Sequence, residues 1–137
     1  MSEQGRIHRI SAHSFAEKYS RGKLENALLL DVREPREWEV YHLDGTTLIP
    51  LHILPGMLDH LDPEQPVYVF CAHGIRSLQA VQWLYECGFR QVFHVDGGLA
   101  EVMLYLEGRG GGEKFKSFPL PGMEWRLALM KTSPPRE

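Results

Sequence analysis

Cysteine is scarce in this chain: Cys71 and Cys87 are the two thiols among 137 residues. That is too few for a disulfide framework, and no Cys-x-x-Cys pair is present to begin a zinc site. An excess of positive charge is also missing. Fifteen Lys and Arg against 18 Asp and Glu give a formal net charge of −3, and the most compact basic cluster, Lys114 with Lys116, is no stripe for a nucleic-acid backbone. No apolar run approaches the roughly 18 residues of a membrane span, and Met1 to Arg6 carries no apolar signal segment. These absences lead us to expect a cytoplasmic protein with reduced thiols and with neither a membrane nor a nucleic-acid partner. Seven histidines raise the question of a metal. The spacings of His8 with His13, His52 with His60 and His73 with His94 match no common zinc pattern, so no metal or organic cofactor is expected.

What is there alternates as in an α/β domain, and the length fits one domain of the usual 100 to 200 residues or so. Arg6 to Ile10 reads as an opening strand. Ser11 can cap a helix carrying Phe15, Ala16 and Tyr19, and Gly22 can end it. Ala27 to Val32 reads as the next strand, its continuous Leu28, Leu29 and Leu30 suiting burial on both faces. Pro35 suits the first turn of a short helix through Trp38, Leu48 to Ile49 a brief strand, and Leu54 to Leu61 a short helix broken near Pro55 and Gly56. Val67 to Phe70 is a β-prone run after Pro66. A helix follows with Leu78, Val81, Leu84 and Tyr85 on one face and a stop at Gly88. Gln91 to Val95 is a last strand and Leu99 to Leu106 a last helix. Such crossovers favour a parallel sheet. Gly108 to Gly112 looks like a joint dividing a domain of residues 1–108 from an extension of residues 109–137. Phe115, Phe118, Leu120, Trp125 and Leu127 make that extension too apolar for a solvated tail, so packing on the same domain is expected.

The most informative stretch is Cys71-Ala72-His73-Gly74-Ile75-Arg76-Ser77, which sets one thiol between a strand and a helix. Thiol chemistry runs through the thiolate, and helix N-termini and nearby cations favour that form. Gly74 permits a loop whose amides converge on one point, and Arg76 offers a forked, permanently charged donor set suited to an oxyanion such as thiosulfate. Cys87, near the end of the following helix, reads as a small packing residue too distant to bridge to Cys71. His42 reads as a structural imidazole in a packed turn. His73 divides evenly between a donor-binding and a merely exposed side chain.

These residues carry a resemblance. Cys71 to Ser77, CAHGIRS, resembles the CxxGxRS active-site loop of the rhodanese-like sulfurtransferases. Asp31-Val32-Arg33 resembles their DVR motif, His42-Leu43-Asp44-Gly45 through Ile49-Pro50 their GHIxGAxNIP segment, and Asp96-Gly97-Gly98-Leu99 the stretch that closes the domain. The likeness spans about residues 7 to 108. Tyr41, Thr46, Leu48 and Val102 depart from the common pattern, and none of these departures removes a group expected to perform chemistry. The resemblance implies a three-layer α/β/α fold around a central, mostly parallel five-stranded sheet.

It also implies a sulfurtransferase. Cys71 would take the outer sulfur of thiosulfate or a persulfide donor and pass it, as a persulfide, to cyanide, a small thiol or a protein cysteine. The backbone of Ala72, His73, Gly74, Ile75, Arg76 and Ser77 would bind the transferred sulfur, with Asp31 and Arg33 in a supporting role. Cysteine phosphatases of related fold place five residues between Cys and Arg; here there are four, a tighter ring that suits one sulfur better than a phosphoryl group. The alternative from another class is a binding or redox-sensing module on the same fold. Neither donor, acceptor nor oligomeric state is written in these motifs.

Overall fold

The computed structural model describes residues 6–108, and its elements begin where local chemistry places them. Ser11 accepts a hydrogen bond from the Ser14 amide (3.0 Å) and caps α1, Ala12–Ser20, which follows β1, Arg6–Ile10. Next come β2, Leu28–Asp31, and α2, Pro35–Val40, opened by a reciprocal cap between Glu34 and Glu37 with Pro35 in the first turn. β3 is only Thr47–Leu48, and α3, Leu54–Met57, passes into a 3₁₀ turn, Leu58–His60. The chain continues through β4, Val67–Phe70, α4, Arg76–Glu86, β5, Gln91–Val95, and α5, Gly98–Gly108.

The five strands form one sheet in the order β1-β5-β4-β2-β3, every neighbouring pair parallel. The fold is therefore α/β, as expected, with an entirely parallel sheet. Side-chain alternation sorts its two faces. Leu30, Val67, Val69 and Val92 pack with Leu54, Met57, Val81 and Leu84 under α3 and α4, while Leu29, Tyr68, Phe70 and Val95 pack with Phe15, Leu99, Val102 and Leu106 under α1 and α5. Three layers result. β4 is buried along its whole length, which is why Val67 to Phe70 shows no polar face in the sequence.

Three expectations need correction. Leu78 lies outside the buried face of α4, 57% exposed, because Ser77, Ala80, Val81 and Leu84 make the inward stripe; the phase is set by Ser77. Cys87 is exposed, not packed, since it is the C-cap of α4 and turns outward before Gly88. Pro55 sits in the first turn of α3 and Gly56 inside it, so this pair opens the helix and the change of geometry comes at Leu58. The Gly108 to Gly112 joint and the packing of the extension concern residues almost wholly outside those described. Among the described residues no helix is long and apolar enough to cross a membrane.

The parallel arrangement sends every strand's carboxyl end to one edge. Asp31 is in register with Phe70, and the Val32 amide donates to the Phe70 carbonyl at 3.0 Å. The Asp31-to-Arg33 segment, the Cys71 loop and Asp96 after β5 therefore share one rim, the usual place for ligands in an open α/β sheet.

Candidate active site

Cys71 leaves β4 almost fully buried, 1% exposed, and the loop after it folds back over its own sulfur. The amides of Gly74 and Ser77 donate to Sγ at 3.1 and 3.3 Å, and Ser77 Oγ lies 3.4 Å away. Burial alone would push this thiol up. The hydroxyl and amide of Ser77, with the amides of His73 and Gly74, outweigh burial and hold the thiol below its ordinary range. The arrangement can therefore keep a negative charge on sulfur in an interior that would otherwise reject it.

A second layer of backbone holds that loop in place. The Leu99 amide donates to the Cys71 carbonyl (2.8 Å) and the Ala100 amide to the Ala72 carbonyl (3.0 Å), so the start of α5 caps the loop from behind. Such closeness requires Gly98: a Cβ there would stand 2.5 Å from the Ala72 oxygen, and its φ is +71°. The double glycine brings two main chains together.

Arg76 does not aim its fork into the loop as the sequence led us to expect. Nη1 and Nη2 donate to Glu37 Oε1 and Oε2 at 2.8 and 2.9 Å, a bidentate pair with α2 across the rim. Glu37 also accepts from the Glu34 amide at 2.8 Å. The Arg76 hydrogen bonds, foremost, lower the Glu37 carboxyl from 4.5 to about 2. A carboxyl lowered by folding adds stability above its unfolded value, and that stability is lost as pH falls through the folded one. The stability gap between wild type and Glu37→Gln, read from urea midpoints, is expected to narrow as pH falls from about 4.5 to about 2. An unchanged gap would show that the pair does not titrate with folding.

Asp31 and Arg33 are buried, at 0% and 1% exposure, and pair with each other. Arg33 donates from Nε and Nη2 to the carboxylate at 2.9 to 3.0 Å, and Nη2 also donates to the Tyr41 carbonyl at 2.9 Å. This pair braces the rim beneath Glu37. His42 Nδ1 lies 2.9 Å from the Trp38 carbonyl and its ring stacks on Trp38, in keeping with a structural imidazole. His73 and Ile75 are exposed on the loop, Ile75 at 74%.

Three residues tied to the Cys71 loop were given no role there by the sequence reading. Glu37 is one. The others are His94 and Asp96: His94 Nε2 lies 2.8 Å from Ser77 Oγ, its Nδ1 lies 2.9 Å from Asp96 Oδ1, and Arg9 Nε donates to Asp96 at 3.1 Å. Strand alternation could have found His94, because it shares a face of β5 with buried Val92, opposite α4. Among the described residues no group of three or more His, Cys, Asp or Glu could hold a metal.

A family model described as the Rhodanese-like domain matches residues 11–104. "Rhodanese-like/PpiC domain-containing protein 12, chloroplastic" of Arabidopsis thaliana is 35% identical over 88 residues, covering 61% of this chain and 29% of that protein. The chain thus spans under a third of the length of that relative. A rhodanese-related protein from Thermoplasma volcanium has TM-score 0.62 and 29% identity over 71% of this chain and 91% of its own. A Rhodanese-like domain protein from Staphylococcus aureus has TM-score 0.62 and 25% identity over 69% of this chain and 90% of its own.

Proposed function

Because the chain belongs to the rhodanese-like domain family, we propose that it is a sulfurtransferase whose sulfur carrier is Cys71. The observation that carries this reading is the buried Sγ faced by the amides of Gly74 and Ser77. In the first step the thiolate attacks the outer sulfur of a donor. A sulfur–sulfur bond forms to Cys71, the donor's own bond to that sulfur breaks, and sulfite or a thiolate departs with the electron pair. The charge on the terminal sulfur is then held by loop amides from Ala72 to Ser77. In the second step cyanide, a thiol or a protein cysteine attacks the terminal sulfur, and the electron pair returns to Cys71.

The Arg76–Glu37 pair bears on the donor. An anionic donor such as thiosulfate must compete with a carboxylate already seated on the guanidinium fork. A small-molecule persulfide carries its charge on sulfur rather than on an oxyanion, so it can meet the loop amides without displacing Glu37 from the fork and is the better donor. Ile75 and Leu78, exposed at 74% and 57%, give the approach to the loop an apolar rim suited to an acceptor with an uncharged face.

Intact-protein mass spectrometry after brief treatment with a small-molecule persulfide, or with thiosulfate, and then with cyanide tests the proposal. One added sulfur is expected, removed by cyanide with release of thiocyanate, retained in Cys87→Ser and absent in Cys71→Ser, with the persulfide loading faster. No added sulfur from either donor would sink the sulfurtransferase reading and leave a binding or redox-sensing module.

A further inference from the structure

The Cys71 loop is connected to the surface by a line of hydrogen bonds that sulfur transfer through loop amides does not require. Ser77 Oγ stands 3.4 Å from Cys71 Sγ and 2.8 Å from His94 Nε2; His94 Nδ1 stands 2.9 Å from Asp96 Oδ1. Asp96 in turn receives both carboxylate contacts of Arg9 Nε, at 3.1 and 3.2 Å. Ser77 and His94 are buried at 0% and 4% exposure, whereas the Asp96 and Arg9 side chains reach solvent at 35% and 76%. The line thus runs from an enclosed thiol toward water, with Ser77 and His94 each able to donate and accept and the Asp96 carboxylate accepting from both His94 and Arg9.

We propose that Ser77, His94 and Asp96 form a proton relay that activates Cys71, with His94 as the acceptor of the thiol proton and Asp96 as its anchor. The inference rests on the Cys71 chemistry proposed above and names what prepares that same site. Its polarity follows from Asp96: a carboxylate only accepts, so Nδ1 carries a proton and Nε2 of the neutral ring accepts from the Ser77 hydroxyl. Ser77 Oγ is then free to accept from the thiol. Activation moves two protons together. The Cys71 S–H bond breaks as an O–H bond forms on Ser77, and the former Ser77 proton passes to His94 Nε2. Cys71 ends as a thiolate facing a hydroxyl and two amides, and His94 as an imidazolium held by Asp96. No redox change and no co-reactant are involved. When an acceptor lifts the sulfur and the thiolate is regenerated, the same line can return the proton.

The charged and titratable groups that the described residues bring to His94 are few. Asp96 follows its own strand, Arg9 on β1 lies beyond Asp96 and is the register partner of His94, and Cys71 is reached through Ser77; Val69, its register partner on β4, is apolar. Partial burial would push the Asp96 carboxyl up, but the hydrogen bonds from His94 and Arg9 outweigh it and keep Asp96 below the ordinary carboxylate range. The anchor therefore stays charged where the relay operates. His94 and Asp96 act through Ser77 and are positioning residues.

The test is the pH profile of Cys71 alkylation by iodoacetamide in a Cys87→Ser background, where Cys71 is the single thiol. In His94→Gln the profile is expected to move up by about one pH unit, a loss of roughly tenfold in rate on its acidic limb, and to rejoin the wild-type plateau at high pH. Asp96→Asn, at a half-buried position and able to keep an acceptor toward Nδ1, should shift the profile the same way by less. A profile that superimposes on wild type, or a rate lowered equally at every pH, overturns the relay. Should His94→Gln fail to fold, Asp96→Asn decides by the same criterion. Sulfur loading is measured separately: a shifted profile in a protein that takes up no sulfur keeps the relay and removes the sulfurtransferase, whereas normal loading with an unshifted profile does the reverse.

Discussion

Gly98→Ala is expected to lower stability by roughly 1–3 kcal/mol for its left-handed backbone and by roughly 1–3 kcal/mol more for overlap with the Cys71 loop. The new Cβ would meet the Ala72 oxygen at 2.5 Å, the Ala72 carbonyl carbon at 2.6 Å and His73 Cα at 2.7 Å. All three are main-chain atoms, so no side chain can rotate aside. Either α5 or the loop must move, and with it the hydrogen bonds from Leu99 and Ala100 to the Cys71 and Ala72 carbonyls. Gly45→Ala separates the two costs, because Gly45 has φ +82° with nothing within 4 Å of the added Cβ. Urea denaturation of both variants should show the larger loss in Gly98→Ala, together with slower alkylation of Cys71 at neutral pH. Equal losses, with Cys71 reactivity untouched in both, would show that the double glycine does not brace the loop.

Arg33→Met is expected to cost roughly 3–5 kcal/mol, the usual consequence of leaving one partner of a buried ion pair behind. Asp31 is fully enclosed, and Arg33 supplies its guanidinium hydrogen bonds and one from its own amide at 3.0 Å. Burial pushes the Asp31 carboxyl up, with Arg33 pulling against it; without the guanidinium, only the main-chain amide of residue 33 is left to oppose burial. A carboxyl raised by folding contributes stability that is full below its unfolded value and is lost as pH rises through its folded one. The variant should therefore fall furthest below wild type at neutral pH and approach it in acid, a trend read from urea midpoints across that range. Arg33→Met combined with Asp31→Leu should recover much of the loss, since no buried charge is then stranded. A double variant as unstable as the single one would mean that the packing of Arg33 over Tyr41, with the guanidinium carbon 5.0 Å from the ring centre, matters more than the charge.

Local signals carried the reading of the fold. A capping serine, a run of four apolar β-prone residues and a glycine stop each act within a few positions, and Ser11, Val67 to Phe70 and Gly88 stand where those signals put them. The thiol loop was legible for the same reason, as its amides belong to the six residues after Cys71. Tertiary partners were hidden. Glu37 lies 39 positions from Arg76, and His94 lies 17 from Ser77; nothing in a period of 3.6 or 2 encodes which helix an arginine will face. Leu78 misled because it shares the helical spacing of Val81 and Leu84, yet a hydroxyl needed by the sulfur takes the inward position one residue earlier. Cys87 misled because thiols are more often enclosed than placed at a helix cap.

The strand order has a consequence for synthesis. Among the described strands β1 lies at the sheet edge and pairs with β5 alone, and Arg6 registers with Gln91. The earliest described strand must therefore wait for the latest one before it can pair, a long-range closure of the kind that folds slowly. The Cys71 loop waits as well: its brace from Leu99 and Ala100, and the contact of Arg9 with Asp96, exist only once α5 and the last strand have left the ribosome. A nascent chain that has already exposed Cys71 carries an ordinary thiol, and the thiol gains its special surroundings only when the domain is complete.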